Sequence, residues 1–109
     1  HEGLSPAVDP QRLLVVLDRA GEALRGVRDV WAREQHAAVE VSRRQRELDA
    51  ARARAGASPS LREKAEADTA QHNLQQALQR REAAEQTRRT KWHEAIQLLR
   101  DVIATAPAK

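Results

Sequence analysis

An all-α fold is predicted: two long antiparallel helices forming a helical hairpin, or antiparallel coiled coil, completed to a helical bundle by self-association or a partner. Three observations carry this reading. Ala, Glu, Lys, Leu and Arg supply 61 of the 109 residues, above the half that marks coiled coils and long helices. Apolar or small residues recur at steps of three and four, the spacing that keeps one stripe along a helix. A single break, "RARAGASPSLRE" at 52–63, interrupts that pattern.

Composition limits the core. Leu, Val and Ile number only 21, Trp two, and Phe, Tyr and Met are absent. A thick globular core needs more bulk, whereas two helices meeting along an Ala-rich seam need less. Disordered chains combine low hydrophobicity with high net charge. Here 19 basic residues nearly balance 16 acidic ones, and 21 alanines favour helix. With no Cys there is no disulfide scaffold. No apolar run approaches the roughly 20 residues that span a bilayer. "LLVVL" at 13–17 is too short and follows no cleavable signal. A soluble chain in the cytoplasm is therefore expected.

Residues 1–9 read as a flexible N-terminal segment, ending at Asp9 as an N-cap. Pro10 follows at the first helical position, where its missing N–H costs nothing. The first helix is predicted over about 10–55. Its seam is read as Leu13, Leu17, Ala20, Leu24, Val27, Trp31, Ala38, Val41, Leu48 and Ala55. Glu34, Gln45 and Arg52 fall in the same register and spoil it.

Gly56 is placed to end that helix in the left-handed conformation, opening a bend over 56–60. Ser60 and Glu63 then form a capping box, with Ser58–Pro59 as an alternative start. The second helix is predicted over about 60–105. Its seam runs through Ala67, Ala70, Leu74, Ala77, Arg81, Ala84, Arg88, Trp92, Ala95, Leu99 and Val102, slipping once between Arg88 and Trp92. Pro107 closes the pattern, leaving 107–109 as a tail. A four- or five-residue connection is the usual length between antiparallel helical neighbours, so the break is a bend within one hairpin (10–106). Folding about Ser58 sets Leu17 against Leu99 and Leu24 against Trp92, with both tryptophans in the core or at a bundle interface and a partner-binding hot spot as the alternative.

The two ends of the hairpin differ. Near the bend the seam is mostly Ala. The opposite end, the base, gathers Leu13, Leu14, Val16, Leu17, Leu24, Trp31, Trp92, Ile96, Leu99 and Ile103. Five successive apolar residues at 13–17 surround a helix, and one neighbour buries only one side. These ten residues are therefore the predicted protein interface. The expected function is a structural, non-enzymatic adaptor, docking or oligomerising through this base. A homodimer or a hetero-assembly would bury it. Membership of a larger bacterial assembly or secretion-type system fits that role.

A second reading belongs to another class. Arg43, Arg44, Arg46, Arg80, Arg81, Arg88 and Arg89 are candidate contacts to an anionic partner, either nucleic acid or membrane. Acidic residues interleave with them, and Glu40–Arg44, Arg43–Glu47 and Glu85–Arg89 are spaced as helical ion pairs. A solvated, ion-paired surface is the plainer expectation. Gly21 and Gly26 burden a helix interior, and a close approach beside Trp92 or a kink would account for them.

No enzyme, cofactor, metal or small-molecule substrate is expected. His36, His72 and His93 are far apart along the hairpin and lack a second ligand three or four residues on. His93 and Glu94 are adjacent on a helix and face different ways. Residues 33–89 are similar in composition to the charged coiled-coil stalk proteins of flagellar and type III export machines. Small secreted hairpins with Trp-x-Gly in the bend share the size. Here the bend is Gly56-Ala57-Ser58-Pro59-Ser60, and Trp31 precedes Ala32-Arg33. Neither likeness carries a residue's role across.

Overall fold

The computed structural model describes residues 9–105. The expected flexible segment before Asp9, the stop at Pro107 and the 107–109 tail lie outside them. Two helices account for the described chain: α1, Pro10–Ala55, and α2, Leu61–Thr105. No strand occurs among the described residues. The fold is an all-α hairpin.

Local chemistry sets each boundary. The Asp9 carboxylate accepts from the Gln11 N–H at 3.0 Å, and the Asp9 carbonyl accepts from Leu13 at 3.1 Å. Asp9 is thus the N-cap, with Pro10 in the first turn. At the other end Gly56 has φ of 63° and donates its N–H to the Arg52 carbonyl at 3.1 Å, the single-bond left-handed cap. The capping box opens α2. Glu63 N–H donates to Ser60 Oγ at 3.1 Å, and Ser60 N–H donates to Glu63 Oε1 at 2.9 Å. The alternative start at Ser58–Pro59 is not used. Near the end of α2 the Thr105 hydroxyl donates back to the Asp101 carbonyl at 2.7 Å.

The helices divide into two compact units. One, Trp31–Gln86, contains the bend. Its buried side chains are Leu48, Ala51, Leu74 and Ala77. Val41, Arg44, Ala67, Ala70 and Ala84 are half-buried around them. Leu48, at 2% exposure, is its best-buried large side chain, a burial worth about 1.5–3 kcal/mol. The other unit takes residues up to Val30 and from Thr87 onward. There Ala20, Val30 and Ala95 are buried, and Leu13, Val16, Ala23, Val27, Leu98 and Val102 are half-buried.

These lists correct the predicted seam. Along α1 the shielded positions are 13, 16, 20, 23, 27 and 30, continuing through 34, 37, 41, 44, 48, 51 and 55. This is an unbroken heptad repeat. The expected alternates Leu17, Leu24 and Trp31 lie outside it, as do Gln45 and Arg52. Leu24 is 41% exposed, Trp31 53% and Trp92 47%. Neither tryptophan is a core residue. In α2 the shielded positions Arg88, Ala95, Leu98 and Val102 keep heptad spacing, so the slip between Arg88 and Trp92 does not occur, and Lys91, at the intervening d position, is exposed. The physical reason is size. Ala20 and Ala95, the latter fully buried, let the backbones meet closely, and a seam that tight has no room for indole rings.

Among the described residues, Gly21 and Gly26 have no close neighbour that a side chain would crowd. A Cβ at Gly26 would meet nothing within 4 Å, and one at Gly21 only the Arg25 guanidinium at 3.7 Å. Helix α1 runs through both without a break. The expected close approach beside Trp92 is absent among the described residues.

Candidate docking face

The heptad assigns every side chain of the first unit to a flank. Let Leu13, Ala20 and Val27 of α1, with Ala95 and Val102 of α2, hold position a. Val16, Ala23 and Val30 then hold d, with Lys91 and Leu98. In an antiparallel pair, the two-fold axis that exchanges the helices runs perpendicular to both. It leaves each side of the pair on the same side. Equal flank positions of both helices therefore share one side.

On the e and b side stand Leu14, Leu17, Gly21 and Leu24 of α1, with Trp92, Ile96, Leu99 and Ile103 of α2. No charged residue holds an e or b position between Leu14 and Leu24 or between Trp92 and Ile103. Leu14, Leu17, Leu24, Trp92, Leu99 and Ile103 are all exposed large apolar groups, and Ile96 is half-buried. Opposite, the g side carries Arg12 and Arg19 from α1 with Glu94 and Asp101 from α2. The e and b side is apolar over this stretch, while the opposite side carries charges of both signs at g and the exposed Val15 at c.

The predicted interface residues thus part into two groups. Leu13 and Val16 belong to the seam between the helices. Leu14, Leu17, Leu24, Trp92, Ile96, Leu99 and Ile103 lie together on the open flank. Trp31 is exposed but belongs to the other unit.

The candidate arginines are divided between the two units. In the second unit Arg43, Arg44 and Arg46 hold three different heptad positions, c, d and f. Arg43 donates to Glu40 at 2.6 Å. Arg44 lies half-buried in the seam and is held at both ends, by Glu40 at 3.1 Å and Glu47 at 2.9 Å. The Arg43 hydrogen bond, with its charge and that of Arg44, holds the half-buried Glu40 carboxyl below its ordinary value. The same contact raises Arg43. The predicted Glu40–Arg44 pair is present, while Arg43 and Glu47 each bond another partner. Arg80 and Arg81 are exposed in this unit, and Arg88 and Arg89 belong to the other.

Two depressions mark the second unit. The larger, about 500 Å³, runs between Ala51 and Arg54 of α1 and Arg62, Glu66 and Ala70 of α2. The smaller, about 330 Å³, lies between Arg33, His36 and Glu40 of α1 and Ala77 and Arg80 of α2. No polar or charged residue is buried among the described residues. No group of His, Cys, Asp or Glu placed to hold a metal ion occurs among them either. No helix of the described residues is long and apolar enough to cross a membrane.

No protein-family model, curated protein or solved structure matches the chain.

Proposed function

We propose that this chain is a non-enzymatic protein-interaction module whose working surface is the apolar flank of the first unit. One observation carries the reading. Six exposed large apolar side chains share one flank, with no charged residue at its e and b positions between Leu14 and Leu24 or between Trp92 and Ile103, while Arg12, Arg19, Glu94 and Asp101 stand at g positions opposite. Scattered surface leucines are ordinary, but a contiguous apolar patch of this kind marks an interaction site. Half-exposed Leu, Ile and Trp side chains together present on the order of 500 Å². A standard interface takes about 800 Å² from each partner, somewhat over half of it apolar.

Light scattering and binding of an apolar fluorescent dye test this together. The chain is expected either to associate, hiding the face, or to remain single and bind dye. Leu17→Asp with Leu99→Asp removes both behaviours while helicity stays. A single chain that binds no dye overturns the proposal.

A further inference from the structure

The occupant of this face can be read from its own pattern. We infer that it is a second copy of the chain, packed across the apolar flank about a two-fold axis, to give a four-helix bundle. This rests on the docking role proposed above.

The face is self-complementary. On α2 the apolar residues fall at 92, 96, 99 and 103, steps of four, three and four. That series reads the same in both directions. An antiparallel copy therefore sets Trp92 over Ile103 and Ile96 over Leu99, then repeats both contacts in reverse. On α1 the same operation sets Leu14 over Leu24 and Leu17 over Gly21. Large then meets small at the one b position where α1 carries no side chain.

One axis serves both helices. The α1 contacts centre on residue 19 and the α2 contacts between 97 and 98, each about 39 residues in sequence from Ser58, the middle of the bend. A two-fold axis crossing both helices meets this equality.

Gly21 supplies the independent observation. Nothing among the described residues requires the glycine, since a Cβ there meets only the Arg25 guanidinium at 3.7 Å. Mid-helix glycine is unfavourable. Seating Leu17 of the second copy accounts for it. The open apolar area also suits a pair of copies, since a symmetric interface uses the same patch twice.

The chain has no cysteine, so single cysteines report the pairing directly. Leu14→Cys and Leu24→Cys are made separately, then mixed under mild oxidation, with mass measured by light scattering. The expected result is twice the 12.2 kDa chain mass, with rapid disulfide dimers in the mixture and slow ones in either variant alone. Gly21→Leu should keep full helicity yet raise the dimer dissociation constant by at least about tenfold, a loss of about one order in affinity.

Other outcomes overturn the inference in distinguishable ways. A dimer in which Leu14→Cys pairs with itself, or with Ile103→Cys, has a different geometry. A dimer indifferent to Gly21→Leu does not pack on the glycine. Single chains that bind apolar dye overturn self-pairing but leave the docking face standing for another protein. Single chains that bind none overturn both.

Discussion

Arg52 donates its guanidinium to the side-chain oxygen of Gln71 at 2.9 Å, joining α1 to α2 near the bend across 19 residues of sequence. Both groups are open to solvent, so water replaces the bond when it is lost. Arg52→Ala is expected to cost less than about 0.5 kcal/mol, as surface substitutions usually do. Thermal melting of the variant checks this. A loss above about 1 kcal/mol would show that the bond fixes the pairing of the two helices.

Leu48 and Trp92 should rank opposite to their sizes. Leu48 is 2% exposed and Trp92 47%. Leu48→Ala removes a packed side chain and leaves a cavity, at about 2–5 kcal/mol. Trp92→Ala should cost the isolated hairpin less than that, because about half of the ring is already in water. Urea melts of both variants at concentrations low enough to keep the chains apart make the comparison. A larger loss for Trp92 would restore the indole to the core.

That ranking exposes what the sequence did and did not reveal. The helix ends were legible because Asp9, Gly56 and the Ser60–Glu63 box are local signals. The hairpin was legible because one short break divides two equal periodic arms. The flank was not. Steps of three-then-four and four-then-three both sum to seven, so 13, 16, 20 and 13, 17, 20 are equally good heptads. Choosing between them by bulk selects Leu17, Leu24, Trp31 and Trp92. Packing selects Val16, Ala23 and Val30, because small residues let two helices close on each other. The apparent slip before Trp92 arose from the same choice. Of the side chains expected at a protein interface, seven lie on the open flank and two in the seam, a separation that needed the three-dimensional register.

Two glycines should respond oppositely to Ala. Gly56 has φ of 63°, where a Cβ is strained by about 1–2 kcal/mol. No neighbouring atom lies within 4 Å of that Cβ, so Gly56→Ala isolates the backbone cost. Gly26 is helical and equally uncrowded. Gly26→Ala should therefore stabilise by about 1 kcal/mol. Chemical denaturation of each variant reads both signs, and destabilisation by Gly26→Ala would reveal a neighbour over that position.

Acid should loosen the start of α2. The Ser60 N–H and hydroxyl hold the Glu63 carboxyl below its ordinary value of 4.5. Its folded-state pKa is therefore lower than its unfolded one. The stabilisation is complete above the unfolded value and fades as pH falls through the folded value. Glu63→Gln keeps an acceptor for the Ser60 N–H without the charge. The stability difference between parent and variant should be present at neutral pH and close in acid. A constant difference would mean that the charge contributes nothing there.

The heptad spacing shared by both arms has a consequence for how such a chain can change over generations. Excising seven residues from α1 and the matching seven from α2 returns every remaining side chain to its former flank. Removing one residue from a single arm turns everything beyond it by about 100°, carrying polar groups into the seam and leucines out. Length is thus adjustable only in matched steps of a heptad. Descendants of this hairpin should differ in reach by whole repeats, while the five-residue bend absorbs the odd insertions.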